Sequence, residues 1–240
     1  MMQRVSFISY ISISISINMK IVTAPGPVSY PLILATKEYG DLDLVFGKGG
    51  EEGSAYAIAD SLTSLVRSGL RVDVVTVRRL MFVYPELRGP RIAVWRRGSA
   101  ADVLVRALLD RAGLRAELVY ADDWYSVFNM LNSGAVQSAV LNLGVLEHKG
   151  EFLEDLIGAS GACGAQINGD PQYFIDVYKA GIETVRSNLA GAVDYVASKL
   201  PIRLPREFIR NILARVEYGI YNPGDYQEFV EIVRRYGGKE

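Results

Sequence analysis

The feature that most constrains this chain is an alternation of short apolar strands with helical stretches, separated by turns rich in glycine and proline. Its clearest instance is Glu86-Leu87-Arg88-Gly89-Pro90-Arg91-Ile92-Ala93-Val94, followed at once by Gly98-Ser99. Arg91 to Trp95 reads as a strand and Gly98-Ser99 as a turn. Ala100 to Ala112 reads as a helix with Val103, Leu104, Ala107, Leu108 and Leu109 at its apolar positions. Ser99 is placed to cap that helix, whose N-terminal amides form an anion site. One such unit is ordinary in any α/β protein, but here the unit recurs in two blocks.

In the first block, Lys20 to Ala24 is a buried strand, Pro25-Gly26-Pro27 a tight loop, Val28 to Glu38 a helix and Leu42 to Phe46 a second strand. The glycine-rich run Gly47 to Ser54 leads into a helix from Ala55 to Ser68, and Val72 to Val77 is a β-branched strand. The chain from Arg78 to Pro90, with Pro85 and Gly89, is the passage to the second block. There the order repeats: after the unit above come strand Glu117 to Tyr120, helix Trp124 to Asn132 and strand Gln137 to Leu141. Gly164 to Ile167 is a strand returning to the first block. Tyr173 to Leu189, Ala192 to Lys199, Arg206 to Val216 and Tyr226 to Tyr236 have helical spacing. Strands and helices of these lengths imply right-handed crossovers. The expected fold is α/β and two-lobed, with mostly parallel sheets flanked by helices and a helical C-terminal region. The expected organisation is an N-terminal extension at 1–18, lobe one at 19–85 plus 168–240, and lobe two at 86–167.

The chain has 240 residues, half of them hydrophobic, and a formal net charge of −1, which suits one large or two modest cores. That balance, with no basic stripe, argues against nucleic acid as a partner. A single cysteine (Cys163) excludes an intrachain disulfide and a cysteine zinc cluster, and a single histidine (His148) excludes a multi-histidine metal site. No metal and no cofactor is expected. Arg is preferred over Lys, as in some heat-adapted proteins. Phe7 to Ile17 alternates Ile with Ser at the period of a strand. It lacks the basic start and continuous apolar stretch of a secretory signal. It reads as an extension upstream of a start at Met19, with an edge strand or a poor signal peptide as the alternatives, so a cytoplasmic location is favoured over an extracytoplasmic one. No stretch approaches the roughly twenty apolar residues of a membrane span.

The run ELRGPRIAVWRRGSAADVLVRALLDRAG resembles the opening of the second lobe in type II periplasmic-binding-protein folds, where a "DLKGKxIxV…GS" phrase places a Gly-Ser turn at the ligand cleft. The resemblance extends from Met19 to the C-terminus. It implies a small-molecule ligand held between two lobes and, in the transport members, a membrane transporter as partner. Gly144 to Phe152 also resembles the "GLxxHxGxF" phrase of periplasmic-binding-like enzymes of futalosine-route menaquinone synthesis, the dihydroxynaphthoate synthase group. That resemblance implies His148 as a general base, for which a neutral imidazole is suited. The loop APGPVSYP departs from the Cys/Pro/Asn/Asp-rich first loop of those enzymes.

In open α/β sheets, ligands bind beyond the carboxyl ends of the strands. The candidate ligand residues at such ends are Pro27, Ser29 and Tyr30 after the first strand, Gly98 and Ser99, Asp122 and Trp124, and Asn142 and Gly144. Gly53 and Ser54, in a loop without Walker spacing, are candidate cleft-wall residues. For each of these, plain capping or turn chemistry is the competing role. The expected function is binding of a small anionic or zwitterionic solute. The alternative is a cytosolic enzyme on the same scaffold, with His148 as its base.

Overall fold

The computed structural model describes residues 19–47, 55–147 and 150–238. The chain opens on β1 (Met19–Thr23), an apolar run buried along most of its length. α1 (Ser29–Ala35), β2 (Leu42–Phe46), β3 (Ala57–Ser61), α2 (Leu62–Arg67) and β4 (Val74–Arg78) complete the first half. The second half runs β5 (Met81–Tyr84), β6 (Arg91–Trp95), α3 (Ala100–Arg111), β7 (Glu117–Ala121), α4 (Trp124–Asn132), β8 (Ser138–Asn142), β9 (Glu151–Phe152) and α5 (Leu153–Ile157). The chain then returns through β10 (Cys163–Ile167), and α6 (Pro171–Ser187), α7 (Leu189–Lys199), α8 (Arg206–Arg215), β11 (Glu217–Tyr221) and α9 (Gln227–Tyr236) follow.

Two sheets result. The six-stranded one has the order β11-β4-β10-β3-β1-β2 and the five-stranded one β7-β6-β8-β5-β9. The two share a plan. In each, three strands in the order second-first-third (β2-β1-β3 and β7-β6-β8) pair in parallel, and the next strand is one that has just arrived from the other half. Those arrivals, β10 and β5, run antiparallel to their neighbours. A strand entering from the opposite side has no crossover helix to reverse it, so it pairs antiparallel. The sheets are therefore mixed rather than mostly parallel.

Several expected elements move. Ala55 to Ser68 is not one helix: Ala57, Ile58 and Ala59 are taken as a strand between β1 and β10, and Ser61 then caps α2, accepting the Ser64 amide at 3.1 Å. Two-sided pairing in the sheet overrides a helical spacing of small residues. The passage Arg78 to Pro90 contains β5, which lies between β8 and β9 in the second sheet with Phe82 and Val83 buried. The C-terminal region is not wholly helical, because Glu217–Tyr221 pairs with β4. By sheet membership the first crossing lies between Arg78 and Met81, and the second between Ile157 and Cys163. Both come a few residues before the expected boundaries at 85/86 and 167/168. The proline and glycine that suggested the first boundary lie beyond β5, not before it.

α1 packs against α6 closely enough that a side chain on Gly181 would overlap the Pro31 carbonyl. Behind the turn that follows β1, the Tyr218 hydroxyl donates to the Pro27 carbonyl at 3.0 Å and the Tyr178 hydroxyl to the Val28 carbonyl at 3.2 Å. α9 lies against α2 of the first half and α3 of the second, joined to α3 by Arg111–Glu228 and Arg235–Asp110 ion pairs. No described helix is long and apolar enough to cross a membrane.

Candidate functional site

The carboxyl ends of β6 and β7 carry the richest chemistry. Trp95 ends β6, and its indole N–H donates to the Asp122 carbonyl at 3.1 Å. Its ring stacks on Trp124 with centroids 5.0 Å apart, so the two expected loops, Gly98-Ser99 and Asp122 to Trp124, are brought together. Arg96 follows with φ of 40°, a left-handed conformation that a non-glycine residue adopts only where its surroundings hold it. Here the Arg96 Nε donates to the same Asp122 carbonyl at 3.2 Å and lies 3.8 Å from the Asp122 carboxylate. The Arg97 guanidinium lies over the Tyr120 ring, 4.7 Å from its centroid. Arg96, Arg97, Tyr120, Ala121 and Asp122 line an open cavity of about 440 Å³. Two guanidinium groups against one exposed carboxylate leave its lining net positive.

The turn behind that cavity is fixed from within. Ser99 caps α3 as expected, its Oγ accepting the Asp102 amide at 3.2 Å and donating to the Trp95 carbonyl at 2.5 Å. Asp102 is fully buried and accepts from the Gly98 amide at 2.7 Å, the Tyr120 hydroxyl at 2.8 Å and Arg106 Nε at 2.9 Å. Burial alone would raise its carboxyl, but Arg106, Gly98 and Tyr120 together hold it below the usual carboxylate range. This internal carboxylate occupies the Gly98 amide, just ahead of the helix cap, and fixes the turn from which Arg96 and Arg97 project. Burial and the bond to Asp102 raise the Tyr120 phenol.

At the end of β8, the Asn142 side chain accepts the Gly144 amide at 2.9 Å and stays buried. Gly144 is pressed by the first half of the molecule. The Asn211 carboxamide on α8 donates to its carbonyl at 3.1 Å, and a Cβ on Gly144 would fall 2.5 Å from the Phe208 ring. Phe208 also meets Tyr125 at the start of α4, with centroids 6.3 Å apart. Gly98 is touched the same way, its carbonyl accepting from Arg67 of α2 at 2.7 Å. Thus Gly98 and Gly144 are two of the points where the halves meet, beside the α9–α3 ion pairs and the Phe208–Tyr125 contact.

Pro27, Ser29 and Tyr30 form a separate cluster in the first half. Ser29 is inside α1 rather than at its cap, is fully buried, and donates to the Gly26 carbonyl at 2.8 Å. The Tyr30 ring is also fully buried, its hydroxyl makes no hydrogen bond, and burial pushes its phenol up. Asp122 is exposed, and the capping role in its loop falls to Asp123, which accepts the Ser126 amide at 2.9 Å. His148, Gly53 and Ser54 lie outside the described residues. Among the described residues no group of three or more His, Cys, Asp or Glu is placed to hold a metal ion. Arg96 and Arg97 were missed as candidates, although their signal is plain in Trp95-Arg96-Arg97-Gly98-Ser99: two cations at the carboxyl end of a strand.

Two sheets of one plan, exchanged crossing strands and a cavity at the carboxyl strand ends define a periplasmic-binding-protein-like architecture. The chain belongs to the family described as "Protein of unknown function (DUF3834)", whose family model matches residues 16–219. A Thermoplasma volcanium protein ascribed to nitrate transport has a similar structure, with a TM-score of 0.70 and 20% identity over 91% of this chain and 92% of that one. The alkanesulfonate-binding protein of Xanthomonas axonopodis pv. citri, solved bound to MOPS, superposes with a TM-score of 0.55 and 15% identity over 92% and 94%. A Candida albicans protein described as exhibiting the generic periplasmic binding protein structural fold gives a TM-score of 0.51 at 15% identity over 92% and 89%. No curated protein matches the sequence.

Proposed function

We propose that this chain is a solute-binding protein that holds a small anion or zwitterion at the carboxyl ends of β6 and β7, with Arg96 and Arg97 supplying the attraction. The observation that carries the reading is the net-positive cavity of about 440 Å³ that these arginines line with Tyr120 and Asp122. Its volume suits a small molecule. A planar guanidinium matches the oxygens of a carboxylate, nitrate or sulfonate in two parallel bonds. The Arg97–Tyr120 contact fixes one cation before any ligand arrives, which lowers the entropy lost on binding. Support also comes from two relatives of the same fold, one ascribed to nitrate transport and one that binds alkanesulfonates, since both solutes are anions. On this reading the halves close over the solute through the contacts at Gly98 and Gly144, and a membrane transporter is the partner that collects it.

The test is calorimetry of the purified protein against nitrate, sulfate, methanesulfonate, acetate and glycine, repeated on Arg96→Ala and Arg97→Ala. One of these anions or the zwitterion should bind, and each substitution should weaken it at least about tenfold. Binding that survives both substitutions would place the site elsewhere. Chemical conversion of a bound compound, lost in His148→Asn, would replace the transport reading with the enzymatic one.

A further inference from the structure

The two crossings between the halves meet at one residue. Glu154 on α5 is buried, with 3% of its surface exposed. One of its carboxylate oxygens accepts the Arg79 amide at 2.5 Å and the other the Leu80 amide at 3.0 Å. Arg79 and Leu80 are the residues between β4 and β5, hence the whole of the first crossing. The main-chain carbonyl of Glu154 accepts the amides of Gly158 at 2.8 Å and Ala159 at 2.9 Å, where the second crossing begins. Arg79 has φ of 54°, a left-handed conformation that the two-amide grip holds in place. We propose that Glu154 is a proton-sensitive clamp on the interlobe hinge: as a carboxylate it grips both amides of the first crossing, and on protonation it keeps one and loosens the other, freeing the halves to move.

The chemistry follows from acceptor count. An ionised carboxylate offers two equivalent oxygens, whereas a protonated one offers a single good acceptor and a hydroxyl that faces an N–H donor. The surroundings bring the change to neutral pH. Burial pushes the Glu154 carboxyl up to about 7, against the two backbone amides that favour its ionised form. Asp155 on the same helix pushes the same way, and Arg78 on β4 opposes it. From β10, the buried Cys163 thiol is coupled to Glu154 and is itself pushed up by burial and by Asp60 and Glu154. The Arg79 guanidinium is directed elsewhere, to Glu217 at 3.4 Å and over the Phe152 ring.

The clamp acts on the motion of the two halves whatever the solute is, so the unliganded protein serves for the test. Backbone amide resonances of Arg79 and Leu80 are followed from about pH 5 to 9, with hydrogen exchange corrected for its intrinsic pH dependence. Both amides should titrate with a midpoint of about 7, and their protection should fall about tenfold on the acid side as one bond weakens. Glu154→Gln has one acceptor oxygen and should show the acid-side protection at every pH, with no titration. Asp155→Asn removes the neighbouring negative charge and should move the midpoint down while leaving the clamp in place. Small-angle scattering should follow the same curve in the parent chain and be flat in Glu154→Gln. Amides that titrate in the ordinary carboxylate range, or not at all, would overturn the proposal, as would an unmoved midpoint in Asp155→Asn.

Discussion

The Arg67 guanidinium, on the first half, donates to the Gly98 carbonyl, on the second, at 2.7 Å. The bond links the two halves at the turn that carries Arg96, Arg97 and Ser99. Arg67 sits at the end of α2, beside the C-terminal end of α9, so it is positioned by the helix that touches both halves. An exposed bond of this kind contributes under about 1 kcal/mol to stability. On the proposed reading, in which the halves close over a solute, its larger effect is on the balance between apposed and separated halves. Arg67→Ala should therefore leave the melting temperature nearly unchanged but raise the radius of gyration in small-angle scattering. An unchanged scattering curve would remove Arg67 from the contact that governs closure.

Asp102 organises the turn from inside. Asparagine at that position keeps one acceptor oxygen and points an NH₂ group at donors, leaving Arg106 or Gly98 without a partner. Asp102→Asn should cost about 3 kcal/mol and lower the melting temperature by roughly 9 °C. Ser99→Ala, which removes the cap and the bond to the Trp95 carbonyl, should cost about 2 kcal/mol. The pH dependence has a definite sign. The Asp102 carboxyl is held below its ordinary range in the folded state, so its stabilisation is full above the unfolded value and is lost as pH falls through the folded one. Glu154 acts the opposite way: its raised value favours the folded state at acid pH, and that contribution is lost as pH rises from 4.5 through about 7. Asp123, held down by its bonds to Ser126, contributes to the same acid-side loss. Chemical denaturation across pH should thus show an acid-side loss that shrinks in Asp102→Asn and a decline toward neutrality that disappears in Glu154→Gln. A parent stability profile without the decline would contradict the raised Glu154 value.

What could be read from the sequence was the part governed by local pattern. β6, α3, β7 and α4 lie within a residue or so of their expected spans, because apolar periodicity and a Ser or Asp cap fix them locally. Ala57 to Ser61 was misread because its small residues suit either period, and only its two sheet neighbours decide. β5 was hidden by Pro85 and Gly89, which mark the end of a strand as readily as a linker. Ser99 declares its capping role by position, but Asp102 and Glu154 do not declare theirs. Each looks like a surface acid on a helix, and each becomes central only when the fold brings distant amides to it: Arg79 and Leu80 lie more than seventy residues from Glu154. Phe208 and Asn211 are invisible for the same reason, since nothing near them in sequence points to Gly144.

That contact makes its own prediction. Gly144 lacks a side chain because the Phe208 ring occupies the space, with a Cβ position only 2.5 Å from it. Gly144→Ala should force α8 away from the end of β8, destabilising the chain by about 2 kcal/mol. Phe208→Ala alone should cost about 3 kcal/mol through its cavity. The double variant should cost less than the sum, because the smaller residue makes room for the added methyl. Additive losses would mean that the two residues do not meet across the halves in solution.

Gly181 tests packing against propensity. It lies inside α6, where alanine should stabilise an isolated helix by about 1 kcal/mol. In this fold α1 leaves no space there: a methyl group on Gly181 would overlap the main-chain carbonyl of Pro31, and a backbone group cannot rotate aside as a side chain can. The first half must then separate α1 from α6, disturbing the Tyr178 bond to Val28 and the turn that follows β1. Gly181→Ala should therefore be destabilising by at least about 2 kcal/mol despite the propensity gain. Lys179→Ala, on the exposed side of the same helix, should stay within about 0.5 kcal/mol of the parent. Urea denaturation of the three proteins decides the matter, and a Gly181→Ala variant as stable as the parent would mean that α1 and α6 do not approach this closely in solution.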